Sequence, residues 1–187
     1  MSARLPVIPT ILVIAAVATM IALGFWQLDR AEEKADMLAR FEAASASEQS
    51  VTFPVGATQE DAWFRRSALD CRKVSDLQPV AGTAATGAKG WAMRATCALS
   101  GGGSAIVDLG FTRVLEQPQW SGGSVTGIVA PGPRLIADPP LAGLEQLAPP
   151  DPNDLPNNHL AYAGQWFFFA LTALVIYAVA IRSRQRS

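Results

Sequence analysis

The chain has 187 residues, 50% of them hydrophobic and 17% charged, with a formal net charge of −1. The charged share is below the usual quarter, and the shortfall sits in two charge-free apolar runs, 5–26 and 161–181, each longer than the ~18 residues that mark a membrane-crossing helix. A small soluble enzyme, a nucleic-acid binder and a disordered tail are therefore poor readings of the whole chain, and the net charge points to no nucleic-acid partner.

Charge is informative once divided. All 16 acidic residues lie within positions 29–154, whereas the tails carry only the bases Arg4, Arg182, Arg184 and Arg186. Short basic flanks stay cytoplasmic and long loops cross largely regardless of charge. Both termini are thus expected in the cytoplasm, and the central region outside, in a periplasm or an equivalent space. The lipid bilayer is the first expected partner.

Taken in chain order, residues 1–9 form a cytoplasmic start broken by Pro6 and Pro9, and a first transmembrane helix follows at 10–26. A cleavable leader is the competing reading. The apolar run is too long for one, and bulky Phe25, Trp26 and Gln27 follow the nearest small-residue site, Ala22-Leu23-Gly24, so the span is expected to be retained. Residues 27–46 lack Gly and Pro and are rich in helix formers, which predicts an outward helical extension. Phe25 and Trp26 suit the aromatic belt of the outer interface.

A small β-rich exported domain is expected over 47–130. Its candidate strands are 51–55, 71–74 with 77–81, 91–99, 105–111 and 124–129, and the Gly101-Gly102-Gly103 run reads as a hairpin turn. Five or so short strands suffice for a curled sheet or partial barrel. Residues 131–160 are Pro-rich and read as a stiff extended connector, with room for a short helix around 141–147. The second transmembrane helix follows at 161–181 and a basic cytoplasmic tail at 182–187. The fold class expected is an α+β membrane protein with a transmembrane helix at each end of the exported domain.

Few residues carry chemistry. Cys71 and Cys97 both fall in the exported region, where an even count permits one disulfide. Two free thiols or a copper-transfer pair are the alternatives, and the lack of a C-x-x-C motif gives a redox carrier little support. His159 is the sole histidine and precedes the second span. Helical spacing puts His159, Tyr162, Ala163, Trp166, Ala170 and Ala173 on one face, which sets a ligand-capable imidazole above aromatic rings and small residues. An imidazole is a common haem iron ligand, and a polar anchor is the plainer role for an interfacial histidine. No metalloprotease motif, phosphate loop or multi-ligand metal cluster is present, and no enzymatic activity is expected.

Two end motifs carry a resemblance. Leu23-Gly24-Phe25-Trp26-Gln27-Leu28-Asp29-Arg30, followed by Lys34, resembles the end of the first membrane helix of the Surfeit locus protein 1 family. Pro156-Asn157-Asn158-His159-Leu160-Ala161-Tyr162-Ala163-Gly164-Gln165-Trp166-Phe167 is similar to that family's entry into its second membrane helix. The middle departs: where the family has a Val-Asn-Arg-Gly-Trp pattern, this chain has Val107-Asp108-Leu109-Gly110-Phe111 and keeps only the valine and the glycine.

The resemblance implies an assembly factor for haem–copper oxidases, one that holds or delivers haem a, with oxidase subunits and a haem-synthesis enzyme as partners. It implies His159 as the haem ligand, with Trp26, Gln27 and Arg30 at the same membrane level and Tyr162 and Trp166 on the same helix face. Arg30 would pair with haem propionates or, equally, form a salt bridge within its own helix. One histidine cannot supply two histidine ligands, so a bound haem would be five-coordinate, share a ligand with a partner, or use a weaker ligand, for which Met20 is a candidate. Gln165, inside the span, needs a protein partner. The alternatives are a cofactor-free membrane scaffold subunit of a respiratory complex and a periplasmic redox protein using Cys71 and Cys97.

Overall fold

The computed structural model describes residues 6–56 and 60–186, so the predicted role of Arg4 and the last residue of the tail, Ser187, lie outside the described residues. Two compact units emerge, one from the chain's two ends, up to Met37 and from Pro156, and one from Leu38–Leu155. Two long apolar helices flank a β-sheet domain, an α+β arrangement. Each helix is long and apolar enough to cross a membrane.

Helix α1 spans Val7–Ser45 without interruption. Pro9 does not delay its start, because the N–H groups of a first turn have no intrahelical partner to lose. Helix α2 spans His159–Arg186, so His159 is its first residue rather than the end of the connector.

The second unit is a six-stranded sheet of order β1-β2-β3-β4-β6-β5 that closes through a β2–β5 pairing. Its strands are β1 Val51–Thr52, β2 Arg66–Thr83, β3 Lys89–Leu99, β4 Ser104–Thr112, β5 Gly123–Ala130 and β6 Arg134–Ala137. The long β2 makes closure feasible: its first part pairs with β5 and its second with β3. Register shifts at Cys71/Lys73 and Val74/Asp76 fall at the start of the part paired with β3, and such bulges bend a strand. Where β5 meets β6, a Cβ on Gly127 would lie 2.0 Å from the Ile136 carbonyl oxygen, so only glycine fits that approach.

The barrel interior is filled by Leu69, Met93, Val107, Leu109, Val125, Val129 and Leu135 together with Cys71 and Cys97, which form a disulfide. A second cluster joins Ala92, Phe111, Ala130, Ile136 and Leu147. Phe41, near the end of α1, packs against Trp63 and Phe64 with ring centroids 5.7 and 5.1 Å apart. Phe64 has a left-handed backbone (φ 63°) and is held there by its N–H bond to the Val129 carbonyl at 2.7 Å.

Two expectations are corrected. The segment 131–160 is not a free connector: β6 lies within it, parallel to β4 and antiparallel to β5. Its prolines flank that strand and leave its ladder donors intact. Nor is 141–147 a helix. Bridges tie Glu145 to Phe111 and Leu147 to Ala84, and left-handed Ala142 and Gly143 turn the chain just before them.

Candidate functional site

In the first unit α1 and α2 meet along a seam with a seven-residue repeat. Val17, Gly24 and Ala31 are buried on α1, and Ala163 and Ala170 on α2. Small residues face the partner while Ile11, Leu12, Ile14, Phe168, Leu171 and Ile176 face outward. This is the reverse of a soluble helix pair, and it is how helices pack when the surroundings are as apolar as the side chains. A Cβ on Gly24 would lie 2.6 Å from the Phe167 ring, so glycine sets the closest approach. Phe25 meets the same ring edge-on at 5.5 Å.

Polar groups close the seam at both ends. Thr10 and Tyr177 share a hydrogen bond between their hydroxyls. At the other end His159 Nδ1 lies 2.7 Å from Gln27 Oε1. One turn further on, Asn157 Nδ2 donates to the Ala31 carbonyl at 3.3 Å, and Asn157 Oδ1 is buried with no partner among the described residues. Thr10 and Gln27 are about 25 Å apart along the helix at 1.5 Å per residue, close to the ~30 Å of a bilayer's hydrocarbon core.

The structure brings Gln27 and His159 together and leaves other expected residues apart. Arg30 Nη1 contacts Glu33 Oε2 at 2.5 Å, and its guanidinium lies 5.7 Å from the centroid of the Trp26 ring, so both it and Trp26 are engaged on the exposed side of α1. Trp166 is half-buried and meets Phe169 edge-on. Tyr162 does not share the seam with His159 and Ala163 and is half exposed. Met20 is half-buried within the seam. Sequence reasoning passed over Asn157, Thr10 and Tyr177. Asn157 stands two residues before His159 in a motif singled out as a whole, whereas nothing local marks a hydroxyl pair 167 positions apart.

The β domain holds a buried ion cluster. Asp108 on β4, 3% exposed, accepts from Arg94 Nε and Nη2 at 2.7 and 3.0 Å and from Arg134 Nε at 3.0 Å. The hydrogen bond to Asp108 raises the Arg94 pKa against the opposing cost of desolvation. Asp108 stands where the family pattern has Asn, and its charge is neutralised from both sides. Gly110, which is kept, has no room for a side chain: a Cβ would lie 2.6 Å from that of Leu144.

The disulfide sulfurs are sealed in the core, with Cys71 1% and Cys97 0% exposed. Thiol exchange needs access to a sulfur, so this bond braces the barrel and is badly placed for a redox carrier. Among the described residues no group of three or more His, Cys, Asp or Glu side chains could hold a metal ion.

A β-sheet domain between two apolar helices fits an inner membrane protein of the kind that is anchored at both ends. Residues 14–171 match the SURF1 family, and the chain belongs to it. That family is associated with cytochrome c oxidase assembly, and its members are assembly factors rather than classical enzymes. A search of curated proteins returns no match.

Proposed function

We propose that the protein spans the inner membrane twice and holds haem a on its way into cytochrome c oxidase, with His159 Nε2 as the iron ligand. The observation that carries this reading is the placement of the sole imidazole at the head of α2, with Nδ1 occupied by Gln27 and Nε2 left to a ligand. A metal-bound histidine commonly has its other ring nitrogen tied in this way. Oxidase subunits, and an enzyme that completes the macrocycle, are the partners this role needs.

Among the residues present, His159 would supply one nitrogen to the haem iron. The seam itself is closed by Gly24, Phe167, Ala163 and Ala170, so a flat macrocycle would lie against the outer apolar surface of the helix pair. Haem would bring the redox iron that the oxidase uses; this chain binds and orients it. Arg30 reaches a propionate only by exchanging it for Glu33, a weak exposed ion pair.

The test is an absorption spectrum of protein purified from a haem a-producing host. Wild-type protein carries the pigment, and His159→Ala loses most of it and shifts the coordination-sensitive bands. Insertion and barrel melting stay unchanged, because no core cavity opens at a half-buried helix start. Wild-type occupancy in His159→Ala would transfer the chain to the cofactor-free scaffold reading.

A further inference from the structure

We infer that Gln27 is a positioning residue that fixes the tautomer of His159, holding the proton on Nδ1 and leaving the Nε2 lone pair open to iron. The inference rests on the ligand reading above and adds a residue and a physical role to it.

A neutral imidazole has one N–H donor and one acceptor nitrogen, and only the acceptor can bind a metal. In an untethered ring either nitrogen can carry the proton. Here the Gln27 side-chain oxygen faces Nδ1 at 2.7 Å, and a carbonyl oxygen can only accept. Nδ1 therefore keeps the hydrogen. The reverse arrangement, with the Gln27 amide N–H donating to Nδ1, would protonate Nε2 and close it to iron.

Gln27 is itself held. It lies between two close contacts of the same helix pair: Gly24, which admits the Phe167 ring, and Ala31, whose carbonyl receives Asn157. Asn157 is two residues before His159, so this bond also fixes the chain that leads into the imidazole. Both partners of the Gln27–His159 bond are thus anchored through backbone approach, which keeps the bond short without tying up Nε2.

A merely structural tie would hold the helices and leave the tautomer indifferent, so the test reads the ring directly. His159 is the sole histidine of the chain, and 15N labelling of histidine in the full-length protein in lipid nanodiscs gives a single pair of ring signals. In haem-free wild type the protonated nitrogen is Nδ1. Gln27→Leu moves the ring to a mixture of tautomers, while Gln27→Glu, whose carboxylate accepts the same bond, retains the Nδ1–H form. In haem titrations Gln27→Leu weakens binding about 10- to 100-fold, the usual cost of losing the outer partner of a metal-bound histidine, and Gln27→Glu restores it. A proton on Nε2 in wild type, or an unchanged tautomer in Gln27→Leu, overturns the inference. Haem binding by His159→Ala at wild-type strength overturns it through the ligand reading instead, and that failure is recognisable because the tautomer measurements on haem-free protein do not depend on it.

Discussion

Asp108 is a buried carboxylate shared by two arginines that are themselves about a third exposed at the side chain. Removing it leaves two guanidiniums facing each other beside the core. Asp108→Ala is expected to lower barrel stability by about 3 kcal/mol, the low end for breaking a buried ion pair, since solvent reaches the arginines. Asp108→Asn restores the family's residue type and keeps acceptor capacity, so it costs less, about 1–2 kcal/mol. Chemical denaturation followed by barrel circular dichroism separates the two, and equal losses would remove the electrostatic account. Asp151 offers a pH counterpart. Its carboxylate accepts from the Asn153 backbone and side-chain N–H groups, and the backbone bond first, then the side-chain bond, lowers its pKa. A depressed carboxylate pKa contributes stability above the unfolded value, ~4, that is lost as pH falls through the folded value. Asp151→Ala should therefore show a shallower acid-side loss than wild type, with the two curves separated above pH ~4 and converging as the pH falls through the folded value.

Among the elements, the helix pair depends on Gly24. Gly24→Val drives a side chain into the Phe167 ring and should part the helices near Gln27 and His159. Tyr177→Phe removes one interhelical hydrogen bond, worth about 0.6–2 kcal/mol within a membrane. Detergent titration of helix–helix dissociation should rank Gly24→Val well below Tyr177→Phe, and the opposite order would make the polar tie the main holder. What the sequence disclosed followed from periodicity. The alternation of β3 and β4 around Gly101-Gly102-Gly103 made that hairpin readable, and the apolar runs located both helices. Strand β2 read as 71–74 with 77–81 because Ser75 and Asp76 interrupt its pattern, yet the ladder runs on through them and carries Pro79 opposite Met93. Strand β6 is four residues between prolines, and its identity is decided by β4 and β5 rather than locally. At the site, His159 stood out as the sole histidine at a span boundary. Its bond to Gln27, 132 positions away, depends on how two helices are rotated, which no spacing rule for one helix contains.

At the scale of the whole molecule, the disulfide and the tail charges bear on the same question, which side of the membrane each part occupies. Cys71 and Cys97 are 26 positions apart, and closing a loop of that length stabilises the fold by about 3 kcal/mol in the chain-entropy model. Such a bond persists in an oxidising compartment, and the proposed two-span topology puts the barrel in the periplasm. The tail of α2 carries Arg182, Arg184 and Arg186 with no acid, and by the positive-inside rule the same proposed topology puts it in the cytoplasm. Reporter fusions test both assignments at once. Gly101 and Gly102 sit in an open turn where added atoms meet nothing within 4 Å, so an inserted reporter there leaves the barrel intact. Alkaline phosphatase at Gly102 is expected to be active, and a fluorescent reporter after Ser187 should fold in the cytoplasm. Thiol labelling of unfolded, unreduced protein should find no free cysteine, and reduction should expose both. A cytoplasmic barrel would predict the reverse set: an inactive phosphatase, two labelled thiols and a melting midpoint insensitive to reductant. An exported reporter after Ser187 combined with an active phosphatase would mean that only one of the two apolar helices crosses, and the helix pair would then have to form outside the bilayer.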